Sequence, residues 1–278
     1  MKKLFCMIFG IIAVCTNLAG CSKEPAEEPA SDNNTTSAVI VTSAESFEYT
    51  LSGDGQYITV NKFIGNDTDV VIPDKIEGVT VSAIEASAFA QTEIESVVVP
   101  ESINAIPDTA FFACQKLHTV TLGESVEQIG KEAFKNCSAL KSVNLPSGLM
   151  SIGGDAFYKC ASLQKIKIPN SVTNIGINAF CYSGLDEVIF EDGIQTVGQY
   201  ASFWCPKLKS VTVPASVLSI KSNIFADTLE SVTFLGDAPQ TIGKSPFAKN
   251  TVIYYNPDTN GWDSSPLKDG YTLKTGNN

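Results

Sequence analysis

Three cysteines, Cys114, Cys137 and Cys160, recur every 23 residues, each three residues after a phenylalanine, and Cys205 holds the equivalent place eight residues after Val197. With Cys181 they make five thiols downstream of Cys21. Thiols can hold zinc, form disulfides or act as nucleophiles. Zinc needs further Cys or His ligands at short spacing, and the one histidine, His118, has no such company. Five thiols cannot pair completely within one chain, and a disulfide framework suits a small secreted domain that lacks a core. The regular interval reads instead as a ladder of small buried apolar groups, one per repeat. His118 falls at an outward strand position with no nucleophile motif and no acidic neighbour in sequence, so a solvated histidine is expected rather than a general base. No Gly-x-Ser-x-Gly, phosphate loop, dinucleotide fingerprint or His-Glu-x-x-His occurs. The thirty carboxylates offer no pair singled out for glycoside hydrolysis. No enzyme, cofactor or metal site is expected.

Two other groups could make contacts rather than bonds. Lys141, Lys165, Lys167 and Lys209, with Asp186 and Glu187 among them, form a local basic cluster in a chain of formal charge −11. They read as a mixed solvated face, with the seat of an acidic ligand as the alternative. Tyr254, Tyr255, Trp262 and Tyr271 could pack as a terminal cap or stack on sugar rings. The acidity of the chain argues against nucleic acid and anionic lipid surfaces as bulk partners.

The elements that must position these residues come from a repeat. An Ile or Val followed five residues later by Phe, usually preceded by Ala, recurs eight times, with Phe at 89, 111, 134, 157, 180, 203, 225 and 247. A period of 22–23 residues means one solenoid coil per repeat, each burying its apolar edge on the next. Within 124–146, Leu140 to Leu145 alternates as a short strand and Pro146 ends it. Equivalent strands are expected at Ile94–Val99, Leu117–Leu122, Leu163–Ile168, Leu185–Phe190, Leu208–Val213 and Leu229–Phe234. Ala133-Phe134 to Cys137 has room for a single helical turn, and Gly130 lets the chain turn. Two outward columns follow: Ser96, Thr119, Ser142, Lys165, Glu187, Ser210 and Ser231, then Val98, Thr121, Asn144, Lys167, Ile189, Thr212 and Thr233.

The ends read differently. Lys2 and Lys3 precede an apolar run from Leu4 to Val14, the order of a secretory signal and too short for an ordinary membrane span. Leu18-Ala19-Gly20-Cys21 resembles the lipobox of bacterial lipoproteins, which implies cleavage before Cys21 and diacylation of its sulfur. The expected organisation is a signal peptide over 1–20, a polar disordered tether over 21–44, a β cap over 45–82, about eight coils over 83–253 and a cap over 254–278. The first cap offers strands near Phe47–Leu51, Tyr57–Lys62 and Val70–Ile72, with Gly53-Asp54-Gly55 as a hairpin turn.

The pattern Leu-x-x-Val-x-Ile/Leu-Pro, then Val-x-x-Ile-Gly-x-x-Ala-Phe-x-x-Cys, is met nearly letter for letter over 124–146 and 163–180. By it the chain resembles the BspA-type, or treponemal-type, leucine-rich repeats of bacterial surface proteins, over about residues 57 to 257. The resemblance implies a right-handed curved leucine-rich-repeat solenoid with a parallel sheet, surface display, and adhesion or binding of host or matrix proteins. It carries no catalytic residues. An envelope-associated glycan-binding module and a structural spacer are the alternatives. The pattern slips where Val197 places a Phe at Ser202 but Phe203 follows, and where the coil after Phe225 shortens, so stacking should be least regular over 198–230.

Overall fold

The protein is described by a computed structural model covering residues 41–197, 205–222 and 228–276. The leader, Cys21 and nearly all of the expected tether lie outside the described residues, as do Ser202, Phe203, Trp204 and Phe225, where the least regular stacking was expected.

Each repeat becomes one coil of a parallel β-solenoid of about nine turns, and the period reappears as strand register. Ser96 pairs with Thr119 and Ser142 with Thr119, so every residue lies beside its own equivalent in the next coil. The longer strands stack in two sheets: Asp69–Val71, Ser96–Val98, Thr119–Thr121 and Ser142–Val143, then Lys165–Ile168, Glu187–Phe190, Ser210–Val213, Ser231–Phe234, Val252–Tyr255 and Thr272–Thr275. A second column of two-residue strands runs from Ala105–Ile106 through Asn174–Ile175 and from Thr196–Val197 through Thr241–Ile242. Between the columns lies one continuous apolar core. Alternation along the longer strands places Val97, Val120, Ile166, Val188, Val211, Val232 and Ile253 inside it.

The third corner of the coil corrects an expectation. The Ala-Phe segments are not helical turns. Their N–H groups alternate: the Ala N–H reaches back three residues, as from Ala133 to the Gly130 carbonyl at 3.4 Å, while the Phe N–H crosses to the next coil, Phe89 to the Ala110 carbonyl, Phe111 to Ala133, Phe134 to Ala156 and Phe157 to Ala179, at 2.7–2.9 Å. Two residues per coil adopt left-handed backbone to allow this, as at Glu132 (φ 58°) and Asn136 (φ 63°), repeated at Asp155 and Lys159. Local helix would forfeit these inter-coil bonds, and stacking wins. Among the described residues the helical pieces are three short 3-10 turns, Ala44–Ser46, Trp262–Ser264 and Pro266–Asp269.

Stacking in register also aligns the rings. Phe63, Phe89, Phe111, Phe134, Phe157 and Phe180 follow one another at 5.0–5.6 Å between centroids, the last four within 9° of parallel. The expected role of Gly130 also shifts from turning to close approach. A Cβ there would lie 2.6 Å from the backbone of Asp108, and one at Gly153 would lie 2.5 Å from Gly130.

The ends continue the ladders. Asp69–Val71 is already a strand of the first sheet, and Val252–Tyr255 and Thr272–Thr275 extend the second. Order begins before Ala44. Thr42 donates its N–H to Val71 O at 3.1 Å and its Oγ1 accepts from Val71 N at 2.8 Å, so the stretch expected as the last of the tether seals the first long strand. Phe47–Leu51 and Tyr57–Phe63 form the antiparallel hairpin, with Gly55 at φ 71° in its turn. Ser52 and Gln56 bond the Asp54 carboxylate there and hold its pKa below the usual range.

Candidate interaction surface

The thiols sit where they cannot react. Cys114, Cys137, Cys160 and Cys205 are buried and free, and each S–H donates to the carbonyl of a repeat phenylalanine in the preceding coil: Phe89, Phe111, Phe134 and Phe180, at 3.0–3.2 Å. Burial pushes the Cys114, Cys137 and Cys160 thiols up, and that of Cys205 up to about 12, so no thiolate is available near neutrality. The column is also broader than its cysteines. Thr92 and Ser183 fall in the cysteine register and donate through oxygen to the phenylalanine of their own coil, Phe89 O and Phe180 O, each at 2.7 Å, the same carbonyls that accept from Cys114 and Cys205. The slot selects a small donor for a buried carbonyl, a polar requirement that the apolar reading of the cysteines missed. The recurrence of Thr92 and Ser183 in cysteine register was the available signal.

His118 is half-buried, with Nδ1 3.1 Å from Thr119 Oγ1 and Nε2 3.9 Å from Glu95. Glu95 lies one coil away, so its approach is invisible to local sequence. Among the described residues no group of three or more His, Cys, Asp or Glu is placed to hold a metal ion.

The basic cluster is interleaved with acids. Lys165 pairs with Glu187 and Lys167 with Glu191, while Lys209 meets Glu230 at 3.3 Å, each across neighbouring coils. Lys141 and Asp186 are exposed and enter none of the ion pairs found among the described residues. The pairing holds the Lys165 ammonium above its ordinary pKa and the Glu191 carboxyl below its own. Exposed pairs of this kind contribute little to stability. Most of the two outward columns face solvent, with one exception: Ser231, expected outward, is 7% exposed.

Trp262, Tyr255 and Tyr271 pack against the core, and Tyr254 lies in register with the outward Thr233. Trp262 is 3% exposed, 5.1 Å from the Phe234 ring and stacked on Tyr255 at 4.7 Å, and its Nε1–H donates to Thr259 Oγ1 at 2.9 Å. Tyr271 lies 5.7 Å from Phe247, donates its O–H to Phe247 O at 2.9 Å and accepts from Phe247 N at 3.2 Å. Burial raises its phenol pKa. Tyr254 is half-buried beneath Lys274, whose ammonium is 6.0 Å from the ring centroid.

Among the described residues the exposed long-strand face is interrupted after Ser142–Val143. Asn144 Oδ1 accepts from Leu122 N at 2.7 Å, and its Nδ2 donates to Leu122 O at 3.0 Å. One coil earlier the same N–H, that of Val99, bonds the Thr121 backbone carbonyl. The sheet divides just beyond, between Ser142–Val143 and Lys165–Ile168.

A family model for the BspA type leucine rich repeat region matches in six copies, over residues 82–205 and 196–257. The leucine rich repeat protein of T. pallidum, TpLRR, is 28% identical in a superposition covering 73% of this chain and 86% of that one, with a TM-score of 0.55. A leucine-rich repeat protein from Bacteroides ovatus superposes with a TM-score of 0.59 over 85% of this chain and 67% of that one, at 24% identity, a likeness of fold alone. No curated protein matches the sequence significantly.

Proposed function

The chain belongs to the BspA-type leucine-rich repeat family, and on that premise we propose a non-catalytic protein of the bacterial cell surface whose solenoid makes protein–protein or cell–cell contacts. The observation that carries this reading is the division of labour within each coil. Among the described residues the phenylalanines and cysteines of the repeat and nearly all of its aliphatic residues are enclosed. What remains to distinguish one coil from another is the outward columns of hydroxyl, lysine and carboxylate side chains. A rigid array of that kind suits recognition over an extended face, and fold alone does not choose the partner.

Attachment through a lipid on Cys21 completes the reading, since two or three acyl chains hold a protein firmly at a membrane. Cys21→Ala should abolish partitioning into the detergent phase, and unchanged partitioning would remove the anchor from the proposal. Display and contact are tested separately. Cells carrying the full chain should adhere to an immobilised panel of matrix proteins, and the purified solenoid should compete. Adhesion unaffected by the competitor counts against the interaction role.

A further inference from the structure

The left-handed corner of the coils carries a groove that none of the structural roles above requires. Gln91, Ala113, Asn136, Lys159 and Tyr182 all adopt φ near 60°, so their side chains leave the solenoid in one row at coil spacing. With Ala113, Gln115, Ser138 and Ala161, the side chains of Asn136, Lys159 and Tyr182 line an open cleft of about 350 Å³. That volume lies within the range of small-ligand sites.

The composition of the cleft narrows its occupant. Tyr182 is a large aromatic kept 43% exposed, and it meets Tyr158 edge to face at 5.4 Å. Gln115, Asn136 and Ser138 supply amide and hydroxyl groups, and no carboxylate lines the cleft. Lys135, on the neighbouring column, is bound to Glu132 at 3.3 Å, whereas Lys159, whose ammonium lies 5.5 Å from the centroid of the Tyr158 ring, enters none of the ion pairs among the described residues. The surrounding charge agrees. Residues 41–132 carry fifteen carboxylates against four lysines, whereas residues 133–276 carry eleven against twelve. The cleft therefore lies mostly in the half of the body that does not repel anions.

A peptide adding as a strand has no foothold. The backbone N–H groups of Gln91, Ala113, Asn136 and Lys159 already donate to the next coil at 2.7–2.9 Å. A saccharide needs no backbone edge. The C–H face of a sugar lies on an aromatic ring, its hydroxyls exchange hydrogen bonds with amides and hydroxyls, and a carboxylate on the sugar meets an ammonium.

We propose that the cleft between Gln115, Asn136, Lys159 and Tyr182 binds an acidic saccharide chain lying along the solenoid axis, with Tyr182 as the stacking platform and Lys159 as the carboxylate partner. The site adds a glycan contact to the protein-contact role and stands independently of it.

The test is calorimetric titration of the full chain with hexagalacturonate, with maltohexaose as the neutral chain and hexaglutamate as the acidic peptide. Hexagalacturonate should bind, the other two at least tenfold more weakly. Lys159→Gln and Tyr182→Ala should each weaken binding at least tenfold, and Tyr182→Phe should retain it, while the melting temperature of Lys159→Gln stays that of the parent. No binding of hexagalacturonate at millimolar concentration, equal binding of either control, or affinity indifferent to both Lys159→Gln and Tyr182→Ala would overturn the proposal.

Discussion

The Phe/Cys corner and the long-strand face are built from the same repeat, yet the first is continuous from Phe63 to Phe180 and the second divides within that span. At the corner, backbone, ring and thiol all point to the neighbouring coil, and the rings stay nearly parallel from Phe111 to Phe180. Across the face, Asn144 replaces a backbone partner with its side chain, the sheet divides, and Lys165, Lys167 and Lys209 are paired with acids on adjacent coils while Lys141 is not. Burial explains the contrast. An enclosed position must match its equivalents above and below or leave a void or an unpaired group, whereas an exposed one can drift because water satisfies whatever the next coil does not. Regularity marks the part of the coil that holds the fold, and irregularity marks the part free to acquire a partner.

Substitution at the two regions should show unequal effects. Phe134→Ala, deep in the corner between two stacked rings, should cost about 3–5 kcal/mol in the urea unfolding free energy. A loss no larger than that of a surface substitution would mean that the spine is not the stabilising element. The thiol column should impose an alkaline limit. Its folded pKa values are raised above the ordinary 9.0, so at higher pH the unfolded chain releases protons that the folded one retains. Stability should be fully present below about pH 9 and fall above it until the pH passes each thiol's folded pKa, by at most about 1.4 kcal/mol per thiol for each pH unit. A Cys160→Ala variant should show a shallower fall in a urea series from pH 8 to 10.5, and an unchanged slope would contradict the burial argument.

On the face, Lys165→Ala should leave the urea midpoint nearly unchanged, because it breaks one exposed ion pair. A loss comparable with that of Phe134→Ala would erase the distinction between the regions. The smallest effect is a gain. Ala113 is held at φ 57°, where glycine is the less strained residue, so Ala113→Gly should raise the unfolding free energy by about 0.5 kcal/mol. Destabilisation there would show that the inter-coil bond from Ala113 N to Lys135 O depends on the methyl group.

Legibility followed the same division. The Ile…Ala-Phe period exposed the coil, its inward residues and the strand positions, because every coil must bury the same side chains. The Ala-Phe turns were misread as helical because local room for a turn says nothing about where its N–H groups go, and the Ala133 carbonyl that accepts from Phe111 lies 22 residues downstream. The Lys141, Lys165, Lys167 and Lys209 cluster was visible as charge, but its partners Glu187, Glu191 and Glu230 become neighbours only through register. The cleft beside Tyr182 escaped notice altogether. Its members follow the repeat phenylalanines by two to four residues, a position with no conventional signal until the left-handed backbone turns it outward.

The sequence by itself determined the solenoid, because a 22–23-residue apolar period has one economical way to bury its Phe, Ile and Cys side chains, by stacking each coil on its own copy. Tertiary structure alone decided which polar groups meet across coils. It set the thiols under the phenylalanine carbonyls, folded Trp262 against Phe234 and lined up Asn136, Lys159 and Tyr182 on one edge. The physical reason is distance: these partners are separated by a full coil or more along the chain and are joined only when the coils close on one another.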